Sequence, residues 1–226
     1  MELNLLYLGI KQERYPMKDC IATIMQSTPL ISNMVTPLHI NYILTHLEKS
    51  LLQNTEGDIV ELGCNVGTTS LFIRKMLDAH QSDKNFCVYD SFEGLPEKSL
   101  EDQTDTTKQY KQGSCKTSLE TFIENFDHNK LKQPIIHQGW FKEIEDTLYP
   151  KQIAFAFFDG DFYSSILDSF EKVYPKLSKG ARVIIHDYGF EALPGVKKAC
   201  DEFLKDKPEK VEVLEVGVSL GLMIKQ

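Results

Sequence analysis

The sequence predicts an α/β protein with a doubly wound, mostly parallel sheet of seven strands, a C-terminal antiparallel hairpin and an N-terminal helical extension. Two observations lead to this prediction. Short apolar segments alternate with helical segments from residue 58 onward, which is typical of a parallel sheet covered on both faces. The last two strand segments are joined by a tight loop that is too short for a parallel crossover, so they must form a hairpin.

The N-terminal extension covers residues 1–55 and is predicted to be helical. Apolar residues recur at helical spacing in "TPLHINYILTHLEKSLLQN", where Thr36 is placed to cap a helix and Pro37 suits its first turn. We expect this extension and the polar stretch 97–114 to form a lid over the remaining domain, residues 56–226. An ordinary disordered loop is the alternative interpretation of that polar stretch.

The 56–226 domain contains the sheet. Strands are predicted at 58–63, 85–90, 133–139, 153–159, 181–187, 211–217 and 221–226. Helices are predicted at Thr69–Ala79, Ser118–Phe126, Tyr163–Leu177 and Gly195–Lys205, with a capping box formed by Thr117 and Glu120. A doubly wound sheet that ends in a hairpin is the Rossmann-like architecture of class I S-adenosylmethionine-dependent methyltransferases, whereas dehydrogenase domains lack that ending. Function is then expected at the carboxyl ends of the strands.

Composition and charge narrow the class of protein. The chain has 226 residues, of which 42% are hydrophobic and 26% charged, as in an ordinary globular protein. A net charge of −8 argues against binding to nucleic acid or to an anionic membrane surface. The five cysteines are scattered without a C-x-x-C pair, and no apolar run is long enough to span a bilayer. We therefore expect a cytoplasmic protein without zinc or disulfides.

A glycine-containing turn follows the first strand, in "VELGCNVGTTS". Gly63 and Gly67 allow the backbone to approach a ligand closely, and the helix that starts at Thr68 would present its free amides to the carboxylate of a methionine moiety. Glu61 precedes the turn and is assigned to the same site. Asn65 occupies the position of the middle glycine of G-x-G-x-x-G, which argues against a dinucleotide. A simple structural turn is the alternative.

The next two strand ends supply further candidates for binding a cofactor. Asp90 ends the second strand, where an acid can accept both ribose hydroxyls of an adenosyl group. Ser91 and Phe92 follow it and are assigned to the same site. Trp140 follows the third strand and is expected to stack on adenine, with a role as a core aromatic anchor as the alternative.

Acidic residues follow the fourth and fifth strands. Asp159 and Asp161 come after one strand, and His186 and Asp187 after its neighbour, so the four side chains should meet in one crevice. Carboxylates at two strand ends form an oxygen site suited to Mg²⁺, which can favour the alkoxide of a substrate hydroxyl. The alternatives are an Asp-Gly turn at Asp159 and a helix cap at Asp161.

Five segments together resemble the macrocin O-methyltransferase (TylF) family. They are "YDSFEGLPE" (89–97), "GSCKTSLETF" (113–122), "GWFKEIEDTLYP" (139–150), "FFDGDFYSSILDSFEKVYPKLSKGARVIIHDY" (157–188) and "PGVKKACDEF" (194–203). The resemblance implies Mg²⁺-dependent transfer of methyl from S-adenosylmethionine to a sugar hydroxyl of a small metabolite, and a homodimer. It also implies that Asp159, His186 and Asp187 are the metal ligands and the catalytic residues, with Asp159 as general base.

His186 departs from the family, in which an Asp-Asp pair occupies positions 186 and 187. Imidazole is a softer, neutral ligand that suits Mn²⁺, Fe²⁺ or Zn²⁺ better than Mg²⁺, so one interpretation is that His186 is a ligand in a site with a shifted metal preference. Two other interpretations remain open: His186 is a general base in a metal-independent enzyme, or it is a structural residue. The wider alternatives are a nicotinamide-dependent oxidoreductase, for which the glycine motif is incomplete, and a non-catalytic scaffold relative.

Overall fold

The computed structural model describes residues 20–104, 110–215 and 217–226. Two helices precede the sheet, α1 (Cys20–Ser27) and α2 (Pro37–Leu52). The predicted cap of α2 is confirmed, because the Thr36 hydroxyl accepts a hydrogen bond from the His39 amide at 3.2 Å. Residues 1–19 of the predicted extension and residues 105–109 of the predicted lid lie outside the described residues.

The seven strands form one sheet, as predicted. They are β1 (Asp58–Leu62), β2 (Phe86–Asp90), β3 (Ile135–Gln138), β4 (Ile153–Phe158), β5 (Leu177–His186), β6 (Glu212–Val213) and β7 (Leu220–Ile224). Their order is β3-β2-β1-β4-β5-β7-β6, with β1 to β5 parallel and the last two strands antiparallel. The predicted sixth strand was too long, because only its exposed residues 212 and 213 pair with β7.

Four helices cover the sheet: α3 (Thr68–Ala79), α4 (Leu119–His128), α5 (Tyr163–Val173) and α6 (Pro194–Phe203). The predicted cap of α4 was wrong by one residue, since the Ser118 hydroxyl rather than that of Thr117 accepts from the Thr121 amide at 3.1 Å. The predicted helix Tyr163–Leu177 was too long, since α5 ends at Val173. Pro175 cannot continue an α-helix, so the chain tightens into a short 3-10 turn before β5.

The sheet is buried on both faces, and β4 shows how. All six residues of its sequence IAFAFF are buried. Phe155 and Phe157 pack with α1 to α4 on one face, whereas Ala156 and Phe158 pack with α5 and α6 on the other. Within the described part of the chain, no helix has both the length and the apolar character needed to cross a membrane.

The C-terminus is held by Glu209, a carboxylate whose side chain is fully buried. It accepts hydrogen bonds from the Lys225 ammonium at 2.6 Å, the Tyr174 hydroxyl at 2.6 Å and the Gln226 amide at 3.1 Å. Burial alone would raise the pKa of Glu209, but these donors outweigh it and lower the pKa to about 2. The charged form of Glu209 is therefore favoured in the folded state.

We expect Glu209→Gln to lower the free energy of unfolding by about 3 kcal/mol near pH 7. The folded-state pKa is depressed, so the stabilisation is complete above the usual value of 4.5 and is lost as the pH falls toward about 2. In urea unfolding, the loss of stability caused by the substitution should be about half as large at about pH 3 as at about pH 7. Glu212→Gln, at an exposed position of β6, is the control. An equal deficit at both pH values would contradict this assignment.

Candidate active site

A cavity of about 710 Å³ opens at the carboxyl ends of β1, β2, β4 and β5. It lies at the switch point of the sheet, where strand order reverses between β1 and β4. Most of the residues predicted for the cofactor and acceptor sites line this one cavity: Glu61, Gly63, Asn65, Thr68, Asp90, Ser91, Trp140, Asp159, His186 and Asp187. Gly67 and Phe92 are not among its lining residues.

The turn after β1 requires glycine for two separate reasons. Gly63 has φ +88°, a conformation that side chains disfavour, and a Cβ there would lie 2.0 Å from the carbonyl oxygen of Asp159. Gly67 has φ +90° and directly precedes α3, whose first turn receives no hydrogen bond from a capping side chain. The turn therefore brings the end of β1 against the end of β4 and leaves the amides of α3 available to a ligand.

Asp90 holds the glycine turn in place. Its carboxylate accepts hydrogen bonds from the amides of Cys64 at 2.8 Å, Asn65 at 2.9 Å and Phe92 at 2.7 Å. The Asn65 side-chain amide in turn donates to the Cys115 carbonyl at 2.7 Å. Asp90 still lines the cavity, and its predicted contact with ribose hydroxyls stays a prediction.

Of the other residues predicted to bind the cofactor, Phe92 lies in the core, whereas Ser91 and Trp140 lie on the cavity. Phe92 is 3% exposed and packs in the core, with its ring centroid 6.0 Å from that of Phe122. Ser91 accepts a hydrogen bond from the Glu93 amide at 3.1 Å at the cavity edge. Trp140 lies on the cavity wall, where it can stack on a ligand.

Glu61 is the buried acid of the cofactor side. It is 1% exposed and accepts a hydrogen bond from the Ser70 hydroxyl through one oxygen. The other oxygen, Oε1, has no partner among the described residues. Burial raises the pKa of Glu61 well above its usual value, and the charges of Asp159 and Asp90 add to this effect. A ligand with a polar or cationic group would satisfy this carboxyl group.

On the acceptor side, His186 lies between two carboxylates. Its Nδ1 atom is 2.9 Å from Oδ1 of Asp159 and 3.0 Å from Oδ2 of Asp187. Neither contact has the angle of a hydrogen bond, so this buried nitrogen is close to two acceptors without donating well to either. One ligand atom from each residue lies within 4.8 Å of the other two. The sequence correctly predicted that these strand ends converge.

The charges of this cluster are strongly coupled. Burial alone would lower the pKa of His186, but Asp159 and Asp187 outweigh it and raise the pKa well above its usual value. Burial would likewise raise the pKa of Asp187, yet the charge of the neighbouring His186 imidazole lowers it. The two carboxylates therefore attract positive charge to the Nδ1 atom.

Asp161 belongs to the same cluster and does not cap α5. Burial, followed by the charges of Asp159 and Asp187, raises the pKa of Asp161 well above its usual value, which favours its neutral form. The interpretation as a cap was wrong. The Tyr163 amide at the start of α5 instead donates to Asp102, a buried carboxylate 61 residues away in sequence, at 2.7 Å.

Four residues other than glycine adopt positive φ around the cavity ends of the strands. They are Asn65 (+46°), Phe92 (+58°), Asp161 (+60°) and Asp187 (+56°). A left-handed conformation costs about 1–2 kcal/mol per residue, and such strain is concentrated at ligand sites. This observation supports a functional role for the turns that carry the cofactor-side and acceptor-side residues.

Several cavity residues were not predicted from the sequence. Ser164, Ser165 and Asp168 lie along α5, and the helical spacing from Asp161 to Asp168 was a usable signal. The contact between His39 of α2 and His186, at 3.1 Å, was not predicted either, because no pattern in the sequence indicates it.

A second group of metal-ligating residue types, Cys20, Glu48 and His80, lies between α1, α2 and the end of α3. Nε2 of His80 lies 3.1 Å from Oε1 of Glu48, so each of these two groups is the hydrogen-bond partner of the other. Burial and the charge of Glu48 raise the pKa of the Cys20 thiol, which points at the sulfur of Met76. These contacts explain the group as part of the packing between the helices, and we do not assign a metal site to it.

The strand order, the antiparallel C-terminal pair and the cavity at the switch point define the fold of the class I, Rossmann-like methyltransferases. Residues 14–218 match the family described as Macrocin-O-methyltransferase (TylF), and the chain belongs to that family. The resemblance inferred from the sequence motifs is thereby confirmed.

Relatives in the family are named as sugar or antibiotic O-methyltransferases. The chain is 33% identical over 152 residues to 8-demethyl-8-(2,3-dimethoxy-alpha-L-rhamnosyl)-tetracenomycin-C 4'-O-methyltransferase of Streptomyces olivaceus, covering 65% of this chain and 58% of that protein. It is 29% identical over 191 residues to Mycinamicin III 3''-O-methyltransferase of Micromonospora griseorubida, covering 81% and 74%. The chain thus spans less than two thirds of the length of the first relative.

Solved structures agree on the fold. The O-methyltransferase NovP superposes with a TM-score of 0.73 at 27% identity, covering 86% of this chain and 82% of that one. The calicheamicin methyltransferase CalS11 superposes with a TM-score of 0.69 at 18% identity, covering 90% and 89%, and shows likeness of fold alone.

Proposed function

We propose that this chain is an S-adenosylmethionine-dependent O-methyltransferase that acts on a sugar hydroxyl of a small glycosylated metabolite with the assistance of a divalent metal. One observation carries the proposal: a single cavity joins the glycine turn after β1 to the acid and histidine cluster after β4 and β5. Sugar-bearing acceptors are favoured because the relatives are named for methylating rhamnosyl and antibiotic hydroxyls.

The cofactor side of the cavity fits S-adenosylmethionine. Thr68 begins α3, whose first amides would face its carboxylate. Gly63, Asn65 and Gly67 would act by shaping the turn that lets the ligand approach, because their own amides already donate within the protein. The unpartnered oxygen of Glu61 is a buried acceptor beside them. The remaining residues proposed for its adenosyl group follow β2 and β3: Asp90, Ser91, Phe92 and Trp140. Of these, Phe92 would act from the core by supporting the turn, since it does not line the cavity.

The acceptor side fits a divalent cation, by the donor set and by its spacing. Neighbouring ligands of an octahedral ion at about 2.1 Å lie about 3 Å apart. His186 Nδ1 lies 2.9 and 3.0 Å from the two carboxylate oxygens and lacks a well-aligned hydrogen bond. Asp159, His186 and Asp187 would hold Mg²⁺, or Mn²⁺, which suits an imidazole better. Such an ion supplies Lewis acidity that favours the alkoxide of a bound hydroxyl.

The chain itself would align the reactants and move one proton. The oxygen of the acceptor attacks the methyl carbon, the carbon–sulfur bond breaks, and S-adenosylhomocysteine leaves. Asp159, at the end of β4 beside Gly63, would accept the hydroxyl proton. The close contact of these two strand ends would set the distance between methyl group and acceptor, which is where most of the rate enhancement is expected.

Calorimetric titration with S-adenosylhomocysteine tests the cofactor assignment. Saturable binding at one site per chain is expected, and binding of a nicotinamide dinucleotide in its place would contradict the proposal. Methyl transfer is then assayed by mass spectrometry against deoxysugar glycosides.

Removal of divalent metal with a chelator is expected to reduce methyl transfer by at least about 100-fold, while S-adenosylhomocysteine still binds. Mg²⁺ or Mn²⁺ should restore the activity. The physical reason is that the ion would supply Lewis acidity to the acceptor hydroxyl, whereas the residues proposed for the cofactor are not among the three proposed metal ligands. Turnover that survives chelation would instead favour His186 as a general base in a metal-independent reaction.

A further inference from the structure

The nitrogen of His186 on the side opposite the two carboxylates contacts a second histidine. Its Nε2 atom lies 3.1 Å from Nδ1 of His39, and the two rings meet edge to face with centroids 4.9 Å apart. His39 is in the first turn of α2, so the N-terminal extension reaches the acceptor side of the cavity through this contact.

A backbone group determines which nitrogen of His39 carries the proton. The amide of Thr36, which can only donate, approaches Nδ1 at 3.5 Å. This contact is part of the capping box of α2, in which the His39 side chain accepts from the backbone of the cap residue. Nε2 of His39 therefore carries the proton, and Nδ1 is an acceptor.

An acceptor at Nδ1 of His39 dictates the orientation and tautomer of His186. Nε2 of His186 must donate to it, because two unprotonated nitrogens at 3.1 Å would repel. Nδ1, the atom that lies 2.9 and 3.0 Å from Asp159 and Asp187, is then the nitrogen whose proton a cation can displace in order to bind the ring. Hydrogen bonding at one ring nitrogen commonly fixes the other as a metal ligand in this way.

We infer that His39 is a positioning residue that holds His186 as an Nε2–H donor, so that Nδ1 joins Asp159 and Asp187 as a ligand for a divalent cation. This inference rests on the proposed function. It accounts for a histidine at a position where the family resemblance implies an aspartate, because a carboxylate has no tautomer to fix, whereas His39 on α2 fixes that of His186.

Mn²⁺ affinity, measured by electron paramagnetic resonance on the full chain, tests the inference with two variants. His39→Leu fills the space without an acceptor and is expected to weaken Mn²⁺ binding about 10–100-fold. His39→Asn places Oδ1 near the original Nδ1 and should stay within about threefold of the wild type. Both variants should bind S-adenosylhomocysteine normally, which shows that they fold. Equal Mn²⁺ affinity in His39→Leu and the wild type would overturn the inference.

Nitrogen-15 spectra of histidine-labelled protein give a second readout that does not depend on turnover. Addition of Mg²⁺ should leave the proton on Nε2 of His186 and remove it from Nδ1. Loss of the proton from Nε2 would refute the role of His39 alone. A wild-type chain that binds S-adenosylhomocysteine but no Mn²⁺ would refute both this role and the metal assistance, while leaving the cofactor assignment intact. Failure to bind S-adenosylhomocysteine with normal Mn²⁺ binding would instead refute the proposed function.

Discussion

Asp159→Asn is expected to lower kcat for methyl transfer by about 1000-fold, while S-adenosylhomocysteine affinity stays within about threefold. The variant keeps the size of the side chain but removes the group proposed both to bind the cation and to accept the hydroxyl proton. General-base catalysis alone contributes about 100- to 10,000-fold. Initial rates of product formation at saturating cofactor, measured by mass spectrometry, give the comparison.

Asp168→Asn is the matched control for this experiment. Asp168 lines the same cavity from α5 but lies outside the group of three potential metal ligands. Its substitution should change kcat by less than about tenfold. A further test is the double variant of Asp159 and Asp187, which should be no slower than Asp159→Asn, because residues that act as one unit are not additive. Wild-type turnover by Asp159→Asn would contradict the assigned role.

The features predicted correctly from the sequence are those encoded locally. The apolar run of β4 identified a strand buried on both faces, and its end placed Asp159 at the edge of the sheet where ligands bind. The same logic placed His186 and Asp187 opposite it, and the distances of 2.9 and 3.0 Å confirm that these side chains meet. Strand period and parallel topology are sufficient for such a prediction.

The contacts that escaped prediction join residues distant in sequence. His39 and His186 are 147 positions apart, and no local pattern reports a contact that depends on how α2 docks. The type and position of Asp161 suit a helix cap, yet this residue has a left-handed φ of +60° and lines the cavity with Asp187. Asp102, in the 3-10 helix Leu100–Asp102, takes the capping role instead. Local preference is overridden in each case by tertiary contacts.

The close approach of the two halves of the cavity can be tested with Gly63→Ala. The new Cβ would lie 2.0 Å from the carbonyl oxygen and 2.8 Å from the carbonyl carbon of Asp159, and neither is free to move because β1 and β4 are paired. The backbone must shift, at φ +88° that alanine already disfavours. We expect a loss of about 3–5 kcal/mol in stability and an S-adenosylhomocysteine affinity at least about 100-fold weaker.

Gly180→Ala separates steric contact from backbone strain. Gly180 has a similar φ of +81° near the start of β5, but a Cβ there meets nothing within 4 Å. Gly180→Ala should therefore lower the free energy of unfolding only by the cost of placing alanine in a left-handed conformation, about 1–2 kcal/mol. The cofactor affinity should be unchanged. In a chain of this size, that loss of stability corresponds to about 2–8 °C in Tm, against about 6–20 °C for Gly63→Ala. Equal losses in both variants would mean that the contact between Gly63 and Asp159 does not couple the cofactor turn to the acceptor strand.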